Sequence, residues 1–166
     1  MAAVVCDSSP LISLAHLGHF GLLKEFYSAV LIPPAVQAEV LDRGAKVIGV
    51  TELNEAIAAG WIMVRRAIPH QPLPPAIAFL DEGERQALEL AVAEQSPLVI
   101  IDEIRGRTIA QKLGLKITGT IGVLVEAKNK GRVPSLRSEL DLLRFRTSFY
   151  LSQALYHAAL KAAGEN

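Results

Sequence analysis

The chain opens on a short apolar run, Ala3-Val4-Val5-Cys6, that stops on an acid, Asp7, and passes at once into Ser8-Ser9-Pro10-Leu11-Ile12. A strand that ends on an aspartate and turns directly into a helix leaves a carboxylate at the carboxyl edge of a sheet. That is the edge at which open α/β sheets bind ligands. A second strand-like run, Leu98-Val99-Ile100-Ile101, stops on Asp102-Glu103 in the same way. Two strands delivering carboxylates to one edge predict a metal site.

Between these runs the chain alternates strand-like and helix-like segments. Ser8 or Ser9 with Pro10 form a helix start, cap then first-turn proline, and the apolar face of Leu11, Leu14, Ala15 and Leu17 stops at Gly18. A short helix is expected over 19–26, a strand over 29–32, and a helix opened by Pro33-Pro34 that runs to about Asp42. Helix 50–59 ends at Gly60 and precedes strand 61–64. Residues 67–78 hold four prolines and read as an extended connection. Helix 80–95 is the clearest and is stopped by Ser96-Pro97. Strand 98–101, helix 103–113, strand 115–118, helix 120–130, helix 135–143 and a last amphipathic helix over 151–163 complete the order. Such alternation implies a mostly parallel sheet of about four to five strands, covered by helices on both faces.

The 166 residues favour one compact domain. Hydrophobic residues make up 51% and aromatics 5%, so the core is built from Leu, Val, Ile and Ala. No apolar stretch reaches the roughly eighteen residues of a membrane helix, and the start lacks a secretion-signal pattern. A cytoplasmic protein without a membrane role is expected. The lone cysteine, Cys6, lies inside the first strand and reads as a small buried hydrophobe. The four histidines show no zinc-type spacing. Trp61 and the phenylalanines read as core. Charge is balanced, 17 basic against 17 acidic residues, but between Arg105 and Arg146 there are 10 basic and 3 acidic. Such a run is either a set of solvated helix faces or a surface for a polyanion.

Two further acids fall on helix faces that the apolar pattern turns inward. Val36 and Val40 mark the stripe beside Glu39; Leu80 and Leu88 bracket Glu84 at four-residue spacing. Inward charges are costly unless paired or metal-bound. Asp7, Glu39, Glu84 and Asp102 together form a set of hard oxygen donors that suits Mg²⁺ or Mn²⁺. Such ions lower the pKa of a bound water and stabilise charge on a phosphodiester under attack. With a basic rim, that chemistry describes a nuclease.

The runs VVCDSSPLISLAHLGHFGLL, LIPPAVQAEV, LDEGERQALELA and LVIIDEIRGRTIAQKLGLKITGTIGVLVEAKNKG occur in this order. Over roughly residues 3–160 the chain thereby resembles the PIN domain superfamily, and within it the small prokaryotic branch related to VapC-type toxins. The resemblance implies one PIN-like α/β domain over 1–166, with 145–166 a C-terminal helical extension. Matched position by position, Asp7 takes the place of the first-strand aspartate and Glu39 that of the glutamate in the helix after strand two. Glu84 stands for the third acid, with Asp81 a possible substitute, and Asp102 or Glu103 for the fourth. The family implies a Mg²⁺- or Mn²⁺-dependent endoribonuclease, the toxin of a type II toxin–antitoxin pair, with a small antitoxin partner and a homodimeric state.

Around these acids, Ser8 either caps the helix or orients a metal-bound water. Arg105 and Arg107 either hold RNA phosphates or neutralise acids such as Glu103. Thr118-Gly119-Thr120 reads as a capped helix start. Phe145, Phe149 and Tyr150 interleave with Arg144 and Arg146, an arrangement that could stack on bases, but packing of the final helix is the expectation. The alternative function is a PIN fold with a degenerate site that binds RNA or a protein without cutting. Phosphate-handling receiver and phosphatase folds are disfavoured, because Ser8 and Ser9 occupy the positions where they need acids.

Overall fold

The computed structural model describes residues 3–166. Five short parallel strands form one sheet: β1 (Val4–Cys6), β2 (Val30–Ile32), β3 (Ile62–Val64), β4 (Val99–Ile100) and β5 (Ile117–Thr118). Their spatial order is β3-β2-β1-β4-β5. Val4 pairs with Val30 and Val5 with Leu31 on one side of β1, while Val5 pairs with Val99 and Cys6 with Ile100 on the other. The chain thus builds outward from β1 to β3, then returns to lay β4 against the other side of β1. The reversal makes the gap beyond the carboxyl ends of β1 and β4 a topological switch point, where such sheets bind ligands.

Every residue of β1 and β2 is buried, and alternation along each strand sends neighbours to opposite faces. Val4, Cys6, Val30, Ile32 and Ile100 join one apolar cluster with Leu11, Leu14, Val36, Val40, Leu53, Leu124 and Leu140. Val5, Leu31, Val99 and Ile101 join the other, with Ala87, Leu88, Ala91, Ile109 and Ala110. The first face is covered by α1 (Ser8–His16), α2 (Leu22–Tyr27), α3 (Pro34–Leu41), α4 (Val50–Ala59), α7 (Thr120–Asn129), α8 (Leu136–Arg146) and α9 (Gln153–Ala162). The second is covered by α5 (Glu82–Ala93) and α6 (Ile104–Lys112). Strands buried on both sides read as unbroken apolar runs, hence the lack of alternation in VVC. The α/β architecture, with five strands and helices on both faces, is the one expected.

Boundaries shift where local chemistry outweighs periodicity. Asp7, not a serine, is the N-cap of α1, so Ser8 is its first helical residue and Pro10 lies in the first turn. Leu80 is buried with the α5 stripe but extended (φ −79°, ψ 157°), closing a 3₁₀ turn over Pro75–Phe79 inside the proline-rich connection. Helix α5 starts later, at Glu82, because Asp81 takes the cap and Glu84 reaches back to accept from its N–H at 3.2 Å. Helix α8 continues past Leu143 to Arg146, whose guanidinium donates to the His16 carbonyl at 3.0 Å.

The segment after α8 packs Leu151, Tyr156, Ala159, Leu160 and Ala163 into the first cluster. Tyr156 donates to Asp141 at 3.0 Å, and Arg144 lies 4.6 Å over its ring. Not every aromatic is core: Phe79 and Phe145 stand exposed. Cys6 is buried, as its position in β1 requires. No helix among the described residues is long and apolar enough to cross a membrane.

Candidate functional site

Asp7 directly follows β1 and Asp102 follows β4 by two residues, so both lie at the switch point. Asp7 is 3% exposed, and its Oδ1 is buried with no hydrogen-bond partner. Asp102 is held on three sides. Thr120 donates to it through both N–H and hydroxyl, each at 2.7 Å, and Ser9 donates its hydroxyl at 2.9 Å. Ser9 immediately follows the Asp7-Ser8 pair, so α1 ties the two strand ends together through its first turn.

Glu39 and Glu84 arrive from the helices. Ser8 donates to Glu39 Oε2 at 2.6 Å, and the Gly83 N–H donates to Oε1 at 3.1 Å. Glu39 therefore spans from the residue after Asp7 to the residue before Glu84. A Cβ at Gly83 would lie 2.4 Å from Glu39 Oε1, so only glycine lets this carboxylate reach the α5 N-terminus. There the unpaired N–H groups and the helix dipole favour an anion. The inward position read for Glu39 is a misplacement: it is exposed, beyond the Val36–Val40 stripe, and held by those two donors instead of by burial. Glu84 is 7% exposed; Oε2 serves as the cap described above, while Oε1 is buried and partnerless.

The four acids interact. Burial pushes the Asp7 carboxyl up from its ordinary 3.8 to about 7; a bond from the Ser8 backbone opposes this, and the charges of Glu39, Glu84 and Asp102 add to it. Glu84 is raised as well, first by burial, then by the charges of Asp81, Glu103 and Glu39. Buried polar atoms are nearly always satisfied. Two orphaned carboxylate oxygens on adjacent elements, each in a field of like charge, are the feature a cation would relieve. The donors are all carboxylate oxygens, which fits Mg²⁺ or Mn²⁺. Among the described residues no three acids, histidines or cysteines form a ready-made cage. Glu39 and Asp102 are turned instead onto protein donors.

Of the paired alternatives, Asp81 is exposed at the α5 cap while Glu84 is buried. Asp102 lies against Ser9 and Thr120, while Glu103 is exposed at the α6 cap and acts on Glu84 only through its charge. Arg107 donates to the Ile101 carbonyl at 2.9 Å, bracing the end of β4. Arg105 is exposed and makes no hydrogen bond or ion pair among the described residues. Neither arginine pairs with Glu103.

Ser9, Thr120, Gly83 and Gly119 escaped the sequence reading as site-builders. A Cβ at Gly119 would lie 2.6 Å from Asp102 Oδ1. The available signal was Ser-Ser directly after the first acid and Thr-Gly-Thr after β5, both of which also read as ordinary helix starts.

A family model described as a PIN domain matches residues 3–165. No curated protein matches the chain.

Proposed function

The chain belongs to the PIN domain family, a fold of nuclease type, and on that premise we propose that it is a Mg²⁺- or Mn²⁺-dependent endoribonuclease acting as the toxin of a toxin–antitoxin pair. The observation that carries this reading is the pair of buried, partnerless oxygens, Asp7 Oδ1 and Glu84 Oε1, in a cluster with Glu39 and Asp102. Asp7 and Glu84 would hold the ion directly, with Glu39 and Asp102 completing the negative pocket. Mg²⁺ is often bound by one or two carboxylates and keeps several waters, so the lack of a preformed cage is compatible with it. When bound, the ion supplies an acidified water and charge stabilisation at the scissile phosphate.

The protein's own groups do the positioning. Thr120 and Ser9 fix Asp102 so that its carboxylate cannot swing away from the β4 edge. The Ser8 hydroxyl and Gly83 N–H fix Glu39. The raised Asp7 carboxyl, pushed up by burial and by Glu39, Glu84 and Asp102, is the like-charge cost that a bound ion would relieve. Arg105 is exposed beside this edge and available to an RNA phosphate. A small antitoxin and a second copy of the chain are the proposed protein partners.

The purified protein is expected to cut single-stranded RNA with Mg²⁺ or Mn²⁺ and to lose at least about a hundredfold in rate on Asp7→Asn, the scale of a lost group that stabilises transition-state charge. Cleavage that persists unchanged in EDTA would overturn the metal dependence. A non-cutting, RNA- or protein-binding PIN fold is supported by one observation, the protein donors that already occupy Glu39 and Asp102. Calorimetric titration with Mn²⁺ separates the readings: a cutting site takes up the ion, a degenerate one does not.

A further inference from the structure

A cleft of ≈ 570 Å³ shares Ser8, Ser9 and Asp102 with the acid cluster and runs from them to Arg43, Ile104 and segment 147–150. Its rim carries Tyr150, 85% exposed, and Ile104, 79% exposed. An aromatic ring left in water at the mouth of a polar cleft gains nothing for the fold.

The segment that presents this ring is firmly held. Thr147 donates its hydroxyl to the Leu143 carbonyl at 2.6 Å and accepts from the Phe149 N–H at 3.1 Å. Arg144 donates to the Leu151 carbonyl at 2.9 Å. Phe149 packs against the core and Leu151 is buried within it. The two arginines that interleave with aromatics here, Arg144 and Arg146, are thus used to pin backbone. Phe149 turns inward, whereas Phe145 and Tyr150 turn outward, contrary to the expectation that all three would pack the last helix. Arg43 uses Nη1 to hold the Ile48 carbonyl at 2.9 Å, and the rest of its five-donor fork remains for an anion.

We propose that this cleft is a nucleotide subsite of the cutting centre, in which a base flanking the scissile phosphate of single-stranded RNA stacks on Tyr150 while its phosphate meets Arg43. The inference rests on the nuclease reading above and adds a substrate-class determinant to it. A base can offer its face to tyrosine only when unstacked, which a single strand permits and a duplex does not. The cleft is continuous with Asp102, so the stacked base and the acids engage one strand. With the backbone on either side of Tyr150 already held, little main-chain freedom is lost on binding.

The test measures fluorescence anisotropy of a labelled RNA heptamer on the cleavage-silenced Asp7→Asn protein. Tyr150→Ala is expected to weaken binding about tenfold and Tyr150→Phe to keep it within about twofold, the scale of one lost base stack. An abasic nucleotide at the stacked position should erase the difference between parent and Tyr150→Ala. In the cutting enzyme, the effect of Tyr150→Ala should fall mainly on KM. Equal affinity of Tyr150→Ala and its parent overturns the subsite and leaves the nuclease reading standing if RNA is cut. Tyr150-dependent binding by a protein that never cuts supports the subsite and overturns the nuclease reading. RNA that is neither bound nor cut overturns both.

Discussion

At the scale of single residues, Asp7 carries a measurable strain. Its folded carboxyl titrates at about 7 against 3.8 for an ordinary aspartate. The folded state therefore binds the proton more tightly, and this favourable contribution is complete below the ordinary value and lost as pH rises through about 7. The loss is on the order of 4 kcal/mol. Urea unfolding in EDTA at pH 8 is expected to show Asp7→Asn more stable than the parent, with the difference shrinking through pH 5 and fading only below about pH 4. Mn²⁺ should stabilise the parent at pH 8 and leave Asp7→Asn unmoved, a readout that needs no substrate. A second expectation concerns Thr120, fully buried and twice bonded to Asp102. Thr120→Val keeps the shape, removes one donor, and should lower Mn²⁺ affinity, read by calorimetry, with a stability change of about 1 kcal/mol.

Acids were legible in the sequence because a carboxylate at a strand end or on an apolar helix face stands out against its neighbours. The donors around them were not. Ser9 and Thr120 carry residue types that any helix start would carry, and the need for glycine at positions 83 and 119 arises only when Glu39 and Asp102 approach from distant parts of the chain.

At the scale of elements, periodicity recovered α4 to the residue, since both its ends lie beside glycines with left-handed φ, Gly49 and Gly60. It misjudged α5 and α8, where tertiary contacts set the ends. Leu80 shares the α5 stripe by burial without being helical, and α8 gains its last turn from Arg146 reaching across to α1. The α8–α9 pairing depends on Tyr156, which is buried and bonded to both Asp141 and Arg137. Tyr156→Ala is expected to cost about 3–5 kcal/mol, as for other large aromatic deletions, seen as a drop in the urea midpoint with the slope retained. We propose that 1–166 is one domain, with the segment from 145 an integral part of its core; such a variant should then unfold in a single transition.

At the scale of the molecule, the basic stretch from 105 to 146 is mostly committed within the fold. Lys130 pairs with Glu126 at 2.7 Å, Arg132 with Glu25, and Lys128 holds the Pro134 carbonyl. Arg107, Arg137, Arg144 and Arg146 bond to backbone carbonyls. A wide polyanion surface is therefore not built here, and RNA contact is expected to neutralise about two or three phosphates. The salt dependence should be shallow, a log–log slope of about −1.4 to −2.1 for a single strand. A slope of about −7 would show the whole stretch engaged.

The pairing of β1 with β4 unites residues 5 and 99, and Thr120 must arrive before Asp102 is clamped. Until that point in synthesis the nascent polypeptide can join Asp7, Glu39 and Glu84 through Ser8 and Gly83, but the fourth acid lacks two of its three hydrogen bonds. The last donor of the pocket to be made is thus the one that fixes its fourth carboxylate.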